Sequence, residues 1–322
     1  MIEYSDVLEA YDRIKEVVNK TPVLTSSTLN RMSKSELFFK CESFQKVGAF
    51  KMRGAYNAIS KLSQSQKEKG VIAHSSGNHA QAVALSAKLL GIKATIVMPN
   101  TSPQVKVNAT RDTYGATVVF CENTSVARQK ATDELISQYG YTFIHPYDNY
   151  DIIAGAGTAT YEFLNQVNNL DMIFCPIGGG GLISGTLIAA NGFNSNIEIY
   201  GAEPQLVDDA FRSLNSGRIE HNKTRNSIAD GLLTDLSEKT FGIIRKYIND
   251  IINVSEFEIL EAMRLLWERM KIVVEPSGAC SLAAALTKRI SIQNKRVGIL
   301  LSGGNLDLDP IFQSLKARIE KN

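Results

Sequence analysis

Glycine-rich turns and one lysine are the features of this 322-residue chain that most clearly point to chemistry. The run Gly178–Gly181 follows an apolar, strand-like segment and precedes a helix-like one. Glycine costs roughly 0.5–1 kcal/mol relative to alanine in ordered structure, so such a run indicates a backbone that must approach a phosphate closely or turn tightly against its neighbours. A dinucleotide-binding GxGxxG pattern fits less well, because its sixth position is Ile183.

A second turn, Ser75-Ser76-Gly77-Asn78-His79, also joins an apolar strand to a helix. The free N–H groups and the positive dipole end of a helix start favour an anion such as a carboxylate. Most turns of this kind only reverse the chain. Two further turns, Asp230-Gly231 and Ser302-Gly303-Gly304-Asn305, are uninformative when each is taken alone.

Lys51 lies in the segment Gly48-Ala49-Phe50-Lys51-Met52-Arg53-Gly54, at a predicted helix start. A lysine is ordinarily a solvated surface charge, and other lysines lie nearby in the sequence. Lys51 differs because Phe50 and Met52 flank it directly. Desolvation by such neighbours lowers the pKa of an amine and makes it a better nucleophile. The pattern therefore marks Lys51 as a candidate nucleophilic amine.

The elements that would position these residues alternate regularly along the chain. After Gly70, strands are predicted at 71–75, 94–98, 116–121 and 142–145, and helices at 78–90, 105–113 and 125–139. A helix near 157–167 and all-apolar runs at 172–177, 197–202 and 297–301 continue the pattern, and Ser5 is predicted to cap the first helix. Such alternation predicts an α/β fold with two parallel-sheet αβα domains.

The domain boundaries follow from the same pattern. The block from about Gly70 to about Tyr147 contains four predicted strands with short connections. We expect residues 70–147 to form a small mobile domain and residues 1–69 and 148–322 to form a large one. A ligand would then bind in the cleft between them, at the carboxyl ends of the strands.

Composition excludes several classes of function. Lys and Arg number 35 against 33 Asp and Glu, without a basic block or an acidic tail, which argues against a nucleic-acid or membrane-surface partner. The N-terminus lacks a signal-peptide pattern, and no apolar run approaches the ~18 residues that span a bilayer. The cytoplasm is the expected location. The cysteines lie too far apart for a redox pair or a zinc site: Cys41, Cys121, Cys175 and Cys280.

Taken in order, the segments GAFKMRG, SSGNHAQ, GGGGL and SGGN resemble the tryptophan-synthase-β-type (fold type II) family of pyridoxal-phosphate enzymes, in its serine racemase and threonine dehydratase branch. The resemblance covers nearly the whole chain and includes four further segments: Thr21–Leu24, Ile228–Gly231, Glu268–Lys271 and Glu275–Pro276. Turns that carry little information singly become a strong joint signal when they occur in this order.

The resemblance implies that Lys51 carries pyridoxal phosphate (PLP) as a Schiff base. The cofactor ring would lie between Phe50 and Gly231, with its 3-hydroxyl on Asn78 and its pyridine nitrogen facing Ser302. A serine hydroxyl stabilises a protonated pyridine less than a carboxylate would, which favours prompt loss of a β-substituent. The phosphate would be bound by Gly178, Gly179, Gly180, Gly181 and Leu182.

The resemblance also implies the substrate contacts and the reaction. The substrate carboxylate would be bound by Ser75, Asn78, His79 and Arg128. Lys51, once freed, would take the Cα proton of a small hydroxy amino acid, and loss of the β-hydroxyl would give a 2-oxo acid and ammonia. Ser76 would supply the acid–base group on the opposite face, where relatives that only dehydrate commonly have alanine. We therefore expect a serine racemase with serine/threonine dehydratase activity.

Two alternatives stay open at this point. One is an enzyme that only dehydrates L-threonine, L-serine or 3-hydroxyaspartate. The other, from a different class, is a non-catalytic ligand-binding protein on the same fold. A further departure from the family pattern is Ala156, where relatives often have glutamine.

A metal site and a nucleotide site are also implied. Glu203, Asp209 and the carbonyl group of Val207 would bind Mg²⁺ or Ca²⁺, although the spacing alone favours a solvated acidic turn. The resemblance implies a homodimer, and ATP as an activator bound between subunits. The chain matches that nucleotide pattern in part, with Gln81, Tyr114, Lys271 and, in place of the usual serine, Thr234.

Overall fold

The computed structural model describes residues 2–102, 104–309 and 313 of the chain. The strands are β1 (Val23–Thr25), β2 (Glu36–Cys41), β3 (Val71–His74), β4 (Ala94–Pro99), β5 (Thr117–Cys121), β6 (Thr142–Phe143), β7 (Met172–Pro176), β8 (Glu198–Pro204), β9 (Asp250–Val254) and β10 (Arg296–Leu301). The helices are α1 (Tyr4–Ile14), α2 (Ser27–Ser33), α3 (Lys51–Ser60), α4 (Gln64–Lys69), α5 (Asn78–Leu89), α6 (Gln104–Asn108), α7 (Ser125–Tyr139), α8 (Tyr150–Gln166), α9 (Gly181–Phe193), α10 (Asp209–Ser216), α11 (Glu238–Tyr247), α12 (Glu256–Leu265) and α13 (Pro276–Leu286).

The strands form two sheets, of six strands in the order β1-β2-β10-β7-β8-β9 and of four strands in the order β5-β4-β3-β6. All pairs in the smaller sheet are parallel, and so are those of the larger sheet except β1 with β2. The predicted α/β class with parallel sheets is confirmed. The antiparallel edge strand β1 was not anticipated, because three residues are too few to show a pattern.

The smaller sheet comes entirely from residues 71–143, within the block 70–147. The domain boundaries themselves stay a prediction. The candidate loops follow strand ends in both sheets: residues 75–77 follow β3, residues 177–180 follow β7, and Ser302 follows β10. In the described ranges, no helix is both long enough and apolar enough to cross a bilayer.

Two details of the predicted helices are wrong. Ser5 lies inside α1, and Glu3 caps that helix in a reciprocal pair with Asp6. The helix expected near 157–167 begins earlier, as α8 at Tyr150, because the Asn149 side chain accepts the backbone N–H groups of Asp151 and Ile152.

Four charged side chains form a buried network beneath the start of α3. Arg53 donates through Nε and Nη2 to the two carboxylate oxygens of Glu42, at 2.7 and 2.8 Å, and through Nη2 to Glu162 at 3.1 Å. Lys40 pairs with the same Glu162. All four side chains are 3% exposed or less, and their charges balance. The network therefore fixes α3 against β2 and α8.

Helices α3, α8 and α9 pack with their backbones in contact. A Cβ atom on Gly155 would lie 2.6 Å from the carbonyl oxygen of Arg53, and one on Gly157 would lie 2.8 Å from that of Gly185. Helix backbones approach this closely only where side chains are absent. Since α3 begins with Lys51 and α9 follows the glycine run, these contacts fix the spacing between the two.

Candidate active site

Lys51 is the first residue of α3 and is half-buried. Its Nζ donates to the carbonyl oxygen of Pro146 at 2.9 Å and lies 5.1 Å from the centre of the Phe50 ring. Among the described residues, no carboxylate is within ion-pairing distance of this amine, and desolvation lowers its pKa to about 8. Such an amine is partly unprotonated near neutral pH and can act as a nucleophile.

The glycine run connects β7 to α9, and residues 179–182 are buried. Gly180 has a φ of +88°, which glycine adopts without steric cost. The backbone N–H groups of residues 178–182 donate to no acceptor within the described part of the chain. Unpaired N–H groups at the start of a helix form a site for a phosphate group.

Each of these glycines also approaches another part of the protein closely. A Cβ atom on Gly179 would clash with the ring of Tyr147, and one on Gly180 would lie 2.7 Å from Cβ of Thr240. Close packing thus accounts for the missing side chains, while the N–H groups remain for an anion. The sequence analysis did not find Tyr147, because a single aromatic residue carries no signal of a contact so far along the chain.

The Ser302 loop lies beside the Lys51 loop. The N–H of Phe50 donates to the carbonyl oxygen of Ser302 at 3.0 Å, and the N–H of Gly304 donates to that of Gly48 at 2.9 Å. Ser302 is buried, with 4% of its surface exposed. These bonds place the backbone of Ser302 next to the segment that carries the candidate amine.

Gly231 lies beside the glycine run, in a 3-10 turn formed by Asp230–Leu232. Its N–H donates to Oγ of Ser277 at 2.9 Å, and a Cβ atom on Gly178 would lie 3.1 Å from its carbonyl oxygen. The Asp230-Gly231 turn, uninformative by itself in the sequence, therefore belongs to the same site.

Asn78 begins α5 at the carboxyl edge of the smaller sheet. Its Nδ2 donates to Oε1 of Glu275 at 2.9 Å, and its Oδ1 accepts from Nδ2 of Asn305 at 2.8 Å. Both partners belong to segments around the larger sheet. The sequence analysis noted Glu275 and Asn305 only as parts of motifs, since hydrogen bonds between distant loops leave no local pattern.

The loop before α5 contains two serines of different environment. Oγ of Ser75 accepts the N–H of Gly77 at 3.2 Å. The Ser76 hydroxyl is half-buried and makes no hydrogen bond within the described ranges. A hydroxyl that the local backbone does not use can hold or move a proton for a ligand.

The side chain of His79 is buried, and its hydrogen bond argues against a role as a donor to the substrate. Its Nε2 donates to the carbonyl oxygen of Ile144 at 2.8 Å, and burial lowers its pKa to about 3. The ring is therefore neutral with its single N–H already used, so the predicted contact with a substrate carboxylate is left to the backbone N–H of His79.

Arg128 lies on α7, near the ends of β3 and β5. Burial, followed by the nearby Arg225, lowers the pKa of its guanidinium group. Its Nε is buried without a hydrogen-bond partner among the described residues. A guanidinium group with an unused donor at this edge of the sheet suits a carboxylate.

Comparison with known proteins agrees with this arrangement. The sequence profile of the family "Pyridoxal-phosphate dependent enzyme" matches residues 14–303. The chain belongs to this family. It is 49% identical to the serine racemase of Dictyostelium discoideum, with 98% of each chain covered. It is 50% identical to the L-threo-3-hydroxyaspartate ammonia-lyase of Saccharomyces cerevisiae, with 95% of this chain and 94% of that one covered.

Solved structures extend the comparison to the fold. The structure of maize serine racemase superposes with a TM-score of 0.96 at 42% identity, covering 99% of this chain and 98% of that one. The protein is thus a PLP-dependent enzyme of fold type II, as the motifs predicted.

The chemical groups of the site match those of PLP, the cofactor of this family. An aldehyde requires an amine without a carboxylate partner, and Lys51 supplies one. A phosphate requires N–H donors without other acceptors, and residues 178–182 supply them. Asn78 and Ser302 are both linked to the segment around Lys51: Asn78 through Asn305, which also donates to Val47, and Ser302 through Phe50.

The predicted metal ligands of this PLP enzyme form a buried pair of carboxylates. Glu203 and Asp209 are each 1% exposed, which excludes the solvated acidic turn. Burial, followed by the charge of Asp209, raises the pKa of Glu203 well above its usual value, and burial raises the pKa of Asp209 to about 6. Among the described residues no cation pairs with either one and no third His, Cys, Asp or Glu joins them.

The donors around the pair favour oxygen chemistry. Val207 is buried in the same turn. Nδ2 of Asn222 donates to Asp209 at 2.6 Å, while Oδ1 of Asn222 is buried without a partner in the part of the chain that is described. The carboxylate oxygens accept four protein N–H groups, from Ala210 and Phe211 to Glu203 and from Asn222 and Leu236 to Asp209. Two carboxylates without a counter-charge among the described residues, with amide and carbonyl oxygens nearby, suit a divalent cation such as Mg²⁺ or Ca²⁺. The sequence analysis did not find Asn222.

The residues of the predicted nucleotide site differ in their exposure. Gln81 is buried in α5, Tyr114 and Thr234 are half-buried, and Lys271 is exposed. Within the described ranges none of these side chains hydrogen-bonds to another of the set. Ala156, the other departure from the family pattern, is 1% exposed and packs in the hydrophobic core.

Proposed function

We propose that Lys51 binds PLP covalently and that the surrounding loops orient it. Phe50 and Gly231 would enclose the ring, Asn78 would donate to the 3-oxygen, and Ser302 would face the pyridine nitrogen. When bound, PLP withdraws electrons from the Cα atom of an amino acid and so labilises the bonds to that atom. The phosphate would be held by the N–H groups of Gly178, Gly179, Gly180, Gly181 and Leu182.

We propose further that the enzyme is a serine racemase that also dehydrates serine and threonine. The observation that carries this proposal is the Ser76 hydroxyl, which the loop backbone leaves unused at the carboxyl end of β3. Lys51 would move the Cα proton on one face of the substrate, and Ser76 would move it on the other. The racemase name of relatives near 49% identity supports the same assignment.

The substrate would be held by its carboxylate at the start of α5. The donors would be Ser75, Asn78, the N–H of His79, and Arg128. The free Nε of Arg128 supports this role, because a carboxylate would supply its missing acceptor.

Chiral product analysis tests the proposal. L-serine, L-threonine and L-threo-3-hydroxyaspartate are each incubated with the enzyme, with Mg²⁺ and with a chelator. We expect both D-serine and 2-oxo acids. Ser76→Ala should lower racemisation by about 10²–10⁴-fold while dehydration continues. Formation of D-serine by Ser76→Ala at the wild-type rate would overturn the assignment of Ser76.

A dehydratase acting mainly on 3-hydroxyaspartate is the second candidate, and the ammonia-lyase at 50% identity favours it. Formation of 2-oxo acid without any D-amino acid would select this alternative. Borohydride reduction distinguishes the enzyme from a non-catalytic binding protein. In the proposed enzyme, reduction abolishes the visible absorbance of the PLP Schiff base, and the reduced adduct maps to Lys51.

We also propose that Glu203, Asp209 and the Val207 carbonyl group bind Mg²⁺ or Ca²⁺. The buried carboxylates without a counter-charge support this site. Addition of either cation to chelator-treated protein should raise its Tm, because a ligand that binds only the folded state stabilises it. An unchanged Tm at millimolar cation would contradict the site.

The remaining features of the proposal concern assembly and regulation. We propose a cytoplasmic homodimer in which residues 70–147 move as a small domain against residues 1–69 and 148–322, with ATP as an activator. Analytical ultracentrifugation tests the dimer. Measurement of activity at a series of ATP concentrations tests the role of the nucleotide. A rate that does not change with ATP concentration would contradict activation by ATP.

A further inference from the structure

Glu275 and Asn305 hold the Asn78 amide from opposite sides, and the proposed function gives neither of them a role. Glu275 caps the start of α13, and Asn305 follows the Ser302-Gly303-Gly304 turn. One accepts from Nδ2 of Asn78 at 2.9 Å, and the other donates to Oδ1 of Asn78 at 2.8 Å. The two contacts therefore define which end of the amide is which.

The carboxylate of Glu275 is an acceptor at both oxygens. Oε1 accepts from Asn78, and Oε2 accepts from the backbone N–H of Asn305 at 3.1 Å. The side chain is buried, and a Cβ atom on Gly303 would lie 2.6 Å from Oε1. The glycine at position 303 thus makes room for this carboxylate, which gives part of the SGGN motif a physical reason.

Asn305 is equally constrained. Both hydrogens of its Nδ2 are used, one on Oδ1 of Asn78 and the other on the carbonyl oxygen of Val47 at 2.6 Å. Because a backbone carbonyl can only accept, the Asn305 amide cannot turn over without losing that bond. It therefore always presents a donor to Asn78.

The Asn78 Nδ2 group has two hydrogens, and Glu275 takes only one of them. We propose that Glu275 and Asn305 are positioning residues that aim the second Asn78 N–H at the 3-oxygen of PLP. The inference rests on the proposed function, which assigns that oxygen to Asn78. A donor at this point stabilises negative charge on the 3-oxygen and strengthens cofactor binding.

The exchange Glu275→Gln separates this role from simple packing. Glutamine has nearly the same shape but only one acceptor oxygen, which the fixed backbone N–H of Asn305 takes. Its NH₂ group then faces Asn78, whose amide must turn its oxygen towards it. The Asn78 NH₂ group would then meet the NH₂ group of Asn305, so the donor for the 3-oxygen is lost.

The experiment is carried out at about pH 9, above the Glu275 pKa of about 8, so that the carboxylate is ionised in the wild type. It is a double-mutant cycle read out by PLP affinity in equilibrium dialysis and by the visible absorbance maximum of the holoenzyme. We expect Glu275→Gln and Asn78→Leu each to raise the PLP Kd about tenfold and to shift the absorbance maximum equally. In the Asn78→Leu background, Glu275→Gln should change the Kd less than about twofold, because it acts through Asn78.

The control is Glu258→Gln, which replaces a half-buried carboxylate that accepts two hydrogen bonds at one oxygen, from N and Oγ of Ser255 at 2.7 and 2.8 Å. It should leave the PLP Kd unchanged. Asn305→Ala provides a second test if Glu275→Gln does not fold, and its effect should also vanish in the Asn78→Leu background.

The possible results distinguish a failure of the positioning role from a failure of the proposed function. A wild-type protein that binds no PLP would overturn the proposed function. Normal PLP binding by the wild type, with an equal effect of Glu275→Gln in both backgrounds, would overturn only the positioning role. An unchanged PLP Kd in Asn78→Leu would likewise contradict the positioning role, because Asn78 would then make no contribution to PLP binding for Glu275 and Asn305 to support.

Discussion

Two basic residues on the first turn of α3 differ in what surrounds them. Arg53 is fully buried and bonded to two carboxylates, whereas the one partner of the Lys51 amine among the described residues is a carbonyl oxygen. A buried charge that is paired stabilises the arrangement around it, while an unpaired one costs stability and is available for chemistry. Pairing, more than burial, therefore separates the reactive group from its support.

The acidic residues divide in the same way. Burial alone would raise the pKa of Glu42, but Arg53, Lys40 and Thr21 together outweigh burial and the pKa is lowered. Burial raises the pKa of Glu275 to about 8, and Asp230 adds to the effect. Glu203 and Asp209 are shifted upward as well. The acids without an ion-pair partner among the described residues lie at the proposed cofactor and cation sites, and the paired one lies beneath the start of α3.

The largest effect is expected from Lys51→Met. The variant removes both the attachment point of PLP and the proposed base, so activity should fall by roughly 10⁴-fold or more. Steady-state rates of 2-oxo acid formation measure this. Lys130→Met, which removes an exposed lysine of α7, is the control and should be fully active. Substantial activity in Lys51→Met would assign the chemistry to another amine.

Arg53→Met tests whether the buried ion pairs of Arg53 stabilise the folded protein. Its removal leaves Glu42 without its bidentate partner, so the free energy of unfolding should fall by about 3–5 kcal/mol. Urea denaturation measures this. Arg264→Met breaks an exposed pair with Glu261 and should cost at most about 1 kcal/mol. Equal losses in the two variants would mean that the buried network is not what fixes α3.

Asp209→Asn should stabilise the cation-free protein, by about 1–2 kcal/mol at pH 7. The folded-state pKa near 6 lies above the usual value, so at pH 7 the folded protein carries a buried carboxylate charge that lowers its free energy of unfolding. Asn222 can turn its unpaired oxygen to the new amide. Thermal unfolding in chelator measures the gain, and added Ca²⁺ should no longer raise the Tm. Asp208→Asn, whose carboxylate pairs with Arg212, is the control and should not be stabilised.

The smallest effect concerns the pH dependence of stability. The pKa of Lys51 is about 8 in the folded cofactor-free protein, below the ordinary value of 10.5. Between these values the unfolded chain binds one more proton, so the free energy of unfolding should rise with pH, by about 1–2 kcal/mol. Lys51→Met should lack this rise. An identical pH profile in both proteins would show that the amine is solvated.

Sequence reasoning found the parts of the molecule whose signal is local. Apolar runs such as 172–177 gave the strands, and the helix over Ser125–Tyr139 was predicted to the residue because Thr124 caps it and Gly140 ends it. The loops of the candidate site were found because glycine runs at strand ends are costly without a reason.

The remainder depends on contacts between distant segments. The sequence around Glu275 does not indicate that its carboxylate accepts a hydrogen bond from Asn78, and the sequence around Tyr147 does not indicate its contact with Gly179. The same holds for the neutral state of His79, which follows from the burial of its ring among segments distant in the sequence. Such features appear only when the tertiary structure brings the partners together.

The backbone contacts among α3, α8 and α9 bear on how this scaffold can change. The gap between Lys51 and the glycine run is set by main-chain atoms meeting at Gly155 and Gly157, so no graded series of side chains can tune it. Laboratory evolution towards new substrates should therefore leave these positions untouched. Selected substitutions should instead accumulate around the smaller sheet, where Ser76 and Arg128 lie on loops and helix surfaces that tolerate stepwise variation.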